Sequence, residues 1–273
     1  MIRGAVAALL IALGAYALIV GYMFFNQRHL LYHPDIKRVD PATIGIAGAE
    51  VTEIATPDGE KLVAWYAPAP PGRPTVLFLH GNAGSIAERP HRFQYYRNAG
   101  FGVLYLSWRG YGGSTGQPSE HGLMIDANAA YDWLMRKGVS PDKLLIVGES
   151  LGTGPAVQLA ASRPVAALAL EAPYTTMVDV ARFHYGWLPV RLLLRDRFDS
   201  LDTIARVRAP IIMIHGDADP VVPFALGKQL FEAAPEPKQF VAIPGGTHGS
   251  IFEEPTWAQE VAFFLKVLKE RQG

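Results

Sequence analysis

The chain has no cysteine. Disulfide bridges, thiolate nucleophiles and cysteine-based metal sites are therefore excluded. The lack of thiols fits an oxidising compartment without establishing one. A surplus of charge is missing too: 25 basic residues balance 25 acidic ones, for a formal net charge of +0. With no basic tract and no interleaving of aromatic and basic residues, a nucleic-acid partner has no electrostatic footprint. Internal repeats and low-complexity stretches are also missing.

What is there is 273 residues, 49% of them hydrophobic. Setting the N-terminal segment aside leaves enough for one α/β-sized domain with a sizeable core. Residues 4–26 carry no charge, and 5–25 are almost wholly apolar. At ~1.5 Å per residue the run is long enough to cross a bilayer core. A cleaved secretory signal is the competing reading, with Ala15-Tyr16-Ala17 as the cut site. Against it, the apolar run continues to Phe24-Phe25, and only Arg3 marks a basic start. The expectation is a single-pass anchor over 1–27, with Tyr22 and Phe24 near one interface. A juxtamembrane connector follows over 28–49 and a folded domain over 50–273. Arg3 flanks one end of the anchor, and Arg28, Lys37 and Arg38 flank the other. That distribution leaves the orientation open.

Beyond the connector, strands are expected at 50–56 and 61–67 around the turn Pro57-Asp58-Gly59. Apolar strands at 75–79, 103–107, 144–147, 166–170, 211–214 and 239–243 alternate with helical patterns at 86–98, 120–137, 151–162, 225–233 and 255–271. Ser119 is placed to cap the second of these helices. This alternation predicts an α/β fold: an eight-stranded, mostly parallel sheet covered by helices on both faces.

Gly148-Glu149-Ser150-Leu151-Gly152 follows the apolar run Leu144-Leu145-Ile146-Val147 and opens a small-residue helix. Strand, sharp turn and helix with serine at the apex make a nucleophile elbow, which exposes the hydroxyl at the carboxyl edge of a sheet. A serine hydroxyl needs a base, and the base needs an orienting acid. Asp219 lies just past the 211–214 strand and His248 just past the 239–243 strand. In a parallel sheet those strand ends share one edge with Ser150. Asp219 is preferred to Asp217, which suits an Asx-type turn. His215 suits a structural role, anchoring the acid loop through a backbone hydrogen bond. An oxyanion needs two amides. The residue after the nucleophile, Leu151, supplies one. Asn82, in the glycine-rich loop after the 75–79 strand, supplies the other.

Together, Phe78-Leu79-His80-Gly81-Asn82-Ala83-Gly84, Arg109-Gly110-Tyr111-Gly112-Gly113-Ser114, the elbow, His215-Gly216-Asp217-Ala218-Asp219-Pro220 and Gly246-Thr247-His248 make the chain resemble the α/β-hydrolases. Within that superfamily it resembles the membrane-anchored ABHD-type serine hydrolases and their bacterial relatives. The resemblance covers essentially all of the chain after the anchor. It implies serine-dependent cleavage of acyl esters or thioesters, without metal or organic cofactor. The substrate would be a small molecule, a lipid or an acylated protein. Ser107 departs from relatives that often carry aspartate there. Such hydrolases place a lid after the sixth strand, here residues 172–209. Trp187, Leu188, Leu192 and Leu193 would cover an acyl chain, with Arg182, Arg191, Arg195 and Arg197 near headgroups. The plainer alternative is a helix packed on the core with its arginines in solvent. A peptidase on the same scaffold, or a non-catalytic receptor that keeps the fold, are the rival functions.

Overall fold

The computed structural model describes residues 2–271. Its central sheet has eight strands: β1 (Glu50–Ala55), β2 (Lys61–Ala67), β3 (Thr75–Leu79), β4 (Gly102–Leu106), β5 (Leu144–Glu149), β6 (Ala167–Glu171), β7 (Ile211–Gly216) and β8 (Lys238–Ile243). Their spatial order is β8-β7-β6-β5-β3-β4-β2-β1. Only the two ladders made by β2 are antiparallel; the others are parallel.

The strands of the sheet centre are buried along their whole length. Side chains alternate across a strand, so each strand feeds two cores. On β3, Leu77 and Leu79 enter one cluster, while Val76 and Phe78 enter the other. The first core is closed by α3 (Glu120–Arg136), α4 (Thr153–Ser162) and α8 (Phe224–Ala233), through Leu123, Leu159 and Leu230. The second is closed by α2 (Pro90–Asn98) and α9 (Glu254–Glu270), through Phe93, Tyr96 and Phe264. Ser119 Oγ accepts the Gly122 amide and so caps α3.

Two expectations shift. The helix expected over 86–98 is a short turn, Ile86–Glu88, capped by Ser85, followed by α2. Pro90 lacks an N–H and its ring collides with the carbonyl four residues back, so it can only start a helix there. The N-terminal helix α1 (Ile2–Leu31) is also longer than the expected anchor and takes in the start of the connector. With a mean hydropathy of 2.3 in its most apolar window, α1 is long and apolar enough to cross a membrane. Tyr32 is buried directly after it. His33–Pro34 then pairs in parallel with Ala83–Gly84, beside the loop that follows β3.

The stretch between β6 and β7 forms three short helices: α5 (Met177–His184), α6 (Val190–Leu193) and α7 (Leu201–Ile204). With α1 they roof the carboxyl edge of the sheet, where the elbow lies.

Candidate active site

Ser150 sits between β5 and α4 with φ 49, in the left-handed region that few side chains other than glycine adopt. The flanking glycines permit this turn. A Cβ on Gly152 would lie 2.1 Å from the Leu79 carbonyl oxygen, and one on Gly148 would lie 2.7 Å from the Ala156 Cβ. Behind the serine, Thr153 Oγ1 donates to the Ser150 carbonyl at 2.7 Å, and Tyr174 Oη donates to the Leu151 carbonyl at 3.0 Å.

The structure brings Ser150, His248 and Asp219 together from three loops. His248 Nε2 lies 3.1 Å from Ser150 Oγ, and its Nδ1 lies 2.7 Å from Asp219 Oδ2. Asp219 is fixed by the amides of Val221 and Val222, which donate to its other oxygen at 2.7 and 2.9 Å. Burial alone would raise the Asp219 carboxyl. Hydrogen bonds from His215 and His248 outweigh it and hold the group well below the usual carboxylate range. His215 Nε2 is 3.0 Å from the Val222 carbonyl, so it ties the acid loop to itself. Asp217 turns elsewhere and accepts the Gly245 amide at 2.7 Å, which links the acid loop to the start of the histidine loop.

The glycine-rich loop is held by groups that the sequence did not single out. The Trp108 amide donates to His80 Nε2 at 3.3 Å, so the proton of this ring sits on Nδ1, 2.8 Å from the Gly81 carbonyl. Burial pushes His80 down to about 3, which keeps the ring neutral. In a trans peptide the C=O and N–H point in opposite directions. With the Gly81 carbonyl turned to His80, the Asn82 amide points the other way. The Asn82 carbonyl is held by the His33 amide at 2.9 Å and by Tyr111 Oη at 2.8 Å. Asn82 and Leu151 both line the cavity that contains Ser150.

Glu149, inside the elbow, is fully buried and also went unmarked. It accepts from Arg89 Nε at 2.9 Å and from the Gly81 amide at 3.0 Å. Burial would raise this carboxyl, but Arg89 overcomes that and holds it at about 2. Arg92 pairs with Glu171 at the end of β6 at 2.7 Å and donates to the Ile251 carbonyl after the histidine. One buried charge cluster thus ties together the elbow, the glycine loop and the histidine loop. Ser107 Oγ, by contrast, is buried with no hydrogen-bond partner among the described residues. No group of three or more His, Asp or Glu side chains among the described residues is arranged to hold a metal ion.

Ser150 opens into a cavity of about 310 Å³. That is the small end of the roughly 300–1,000 Å³ usual for ligand pockets. Of the four lid residues expected to line it, Leu188 and Leu193 do, and Trp187 and Leu192 do not. Leu192 is 85% exposed because α6 is a single turn that offers only one side to the cavity. Trp187 is drawn outward, with its ring 6.2 Å from that of Tyr16. The opposite wall is α1 itself, through Met23, Phe24, Leu30 and Leu31. Phe24, expected near a membrane interface, also faces this cavity, with Arg195 stacked 4.4 Å from its ring.

This fold, with serine, histidine and aspartate meeting at the sheet's carboxyl edge, is that of the α/β-hydrolases. Residues 74–203 match the family described as the alpha/beta hydrolase fold. An uncharacterised protein of Mycobacterium tuberculosis is 40% identical over 233 residues, spanning 84% of this chain and 83% of that protein. The lysophosphatidylserine lipase ABHD12 of Danio rerio is 33% identical over 238 residues, spanning 76% of this chain and 62% of that protein. The chain belongs to the α/β-hydrolase family. Among solved structures, the Pyrococcus furiosus esterase Pf2001 superposes with a TM-score of 0.67 at 21% identity, covering 86% of this chain and 98% of that one.

Proposed function

We propose that the protein is a membrane-anchored serine hydrolase of acyl esters or thioesters, held by α1 as a single-pass anchor. Ser150 Oγ attacks the acyl carbonyl while His248 Nε2 takes its proton. Asp219 keeps His248 in the required tautomer and stabilises the imidazolium that forms. The Asn82 and Leu151 amides receive the developing oxyanion, where fixed dipoles need no reorganisation during the reaction. His248 returns the proton to the leaving alcohol or thiol. The acyl-enzyme is then released by a water that His248 activates.

The observation that carries this reading is the continuous line Ser150–His248–Asp219, at 3.1 and 2.7 Å, opening on an apolar cavity. The cavity wall also favours acyl groups over peptide amines, since no carboxylate among the described residues lines it. The test is covalent labelling of the full chain with a fluorophosphonate, alongside hydrolysis of nitrophenyl esters. Ser150→Ala should abolish both while its melting temperature stays near wild type. Undiminished labelling of a folded Ser150→Ala protein would sink the assignment.

A further inference from the structure

Contact between α1 and the lid does not stop at the end of the apolar run. It continues down the helix through Met23 and Val20, which pack on Leu188 and Val190 of the lid. Lower still, Tyr16 Oη donates to the Trp187 carbonyl at 3.1 Å. Between that last contact and Arg3, the charge that closes the apolar run, lie only residues 4–15, which reach just ~18 Å. A hydrocarbon core is ~30 Å thick. If α1 spans, the membrane must rise along it past Tyr16, and whatever lies beside Tyr16 is then inside the leaflet.

We propose that the lid tip around Trp187 is immersed in the leaflet that holds α1, so that the cavity opens into lipid instead of water. The tip has the composition for it: Phe183 is 61% exposed, Trp187 55%, and Tyr185 is exposed as well. Part of its backbone is suited too, because a lipid-facing segment must satisfy its own polar groups. The Tyr185 amide donates to the Ala181 carbonyl, the Leu188 amide to the Tyr185 carbonyl, and the Val190 amide to the Leu188 carbonyl. Pro189 has no N–H to satisfy. The Trp187 carbonyl takes the Tyr16 hydroxyl, which gives both groups a partner at a depth without water. About two turns higher on α1, Arg195 over Phe24 marks the headgroup level.

An acyl chain would then pass between Met23 and Leu30 on one side and Leu188 and Leu193 on the other, without leaving hydrocarbon. That route rests on the hydrolase reading. The immersion does not, and it is measured without turnover.

The absence of cysteine makes the measurement clean. Single cysteines at Leu18→Cys, Phe183→Cys, Trp187→Cys and Lys266→Cys in the full chain would each carry a nitroxide. The proteins are reconstituted into phosphatidylcholine–phosphatidylglycerol vesicles, and collision with dissolved oxygen is compared with collision with an aqueous nickel chelate. Leu18 lies on the outward face of α1, 77% exposed, and calibrates depth; Lys266 on α9 is the water reference. Labels at 187 and 183 should be shielded from nickel like that at 18, and the 187 label should report a depth within about one helical turn, ~5 Å, of it. Two results overturn the proposal. In one, the 18 label is in lipid while the 187 and 183 labels match 266. In the other, the 18 label is itself open to nickel, so that the membrane never reaches the lid. Using two lid positions guards against a Trp187→Cys chain that fails to fold.

Discussion

Two aspartates lie close together in the loop after β7, and they face opposite ways. Asp219 meets His248 at 2.7 Å, whereas Asp217 meets the Gly245 amide. Asp219→Asn should lower kcat on a nitrophenyl ester by a factor on the order of 10⁴, the loss known for the corresponding change in a serine protease. Asp217→Asn only weakens a loop tether, since its amide oxygen still accepts from Gly245, and should cost far less. The reverse ranking in steady-state kinetics would show the acid misassigned. That Ser150, Asp219 and His248 lie together was legible because strand ends show as apolar runs followed by Gly, Asp and His, and the ends of parallel strands share one edge. Glu149 was not legible: an acidic residue in the variable position of the elbow looks like any solvent-facing side chain. Only the fold brings Arg89, distant in sequence, against it.

At the scale of elements, that buried pair should make the elbow acid-sensitive. Glu149 is held at about 2, below its ordinary 4.5. Its contribution to stability is therefore complete above the ordinary value and is lost as pH falls from there towards 2. Melting temperature followed on acidification should drop less steeply in Glu149→Gln, from a lower starting point, than in wild type. Equal slopes would show that the elbow pair is not what acid attacks. The lid makes a second test at this scale. Each methylene buried is worth ~0.8 kcal/mol, or roughly fourfold in kcat/KM per added carbon until the cavity is full. Leu193→Asp places a charge in the wall and should flatten that rise across a nitrophenyl ester series. Leu192→Asp, on the outside of the same turn, should leave it intact. Sequence alone could not separate these two leucines. In a helix of one turn, no periodicity marks the inner side.

For the whole molecule, the eight-stranded sheet and its covering helices follow from the alternation of apolar strands and helical patterns, and their succession along the chain was readable in advance. The role of α1 was not. An uncharged run announces a helix apolar enough to cross a membrane, but nothing in it shows that its last turns line the cavity. With α1 retained as an anchor, the full chain should stay with membranes through high salt and carbonate, because hydrocarbon burial at ~25 cal/mol per Å² is indifferent to ionic strength. N-terminal sequencing of that fraction should begin near Met1. Recovery of a soluble chain that begins near Leu18 would identify a cleaved signal instead.

The joint between α1 and the sheet also sets how this protein can be prepared. The Leu31 carbonyl accepts the Asn82 side chain at 2.9 Å, and Arg28 pairs with Asp196, which is otherwise buried, at 3.0 Å. Trimming the chain after Leu31 to gain solubility would leave that carboxylate with the Tyr32 hydroxyl but no cation, free one side of the glycine-rich loop and unroof the cavity. Protein made that way would be an enzyme with a wall missing. Its kinetics would describe the cut, whereas detergent or nanodisc preparations of the full chain would keep the helix and the loop in register.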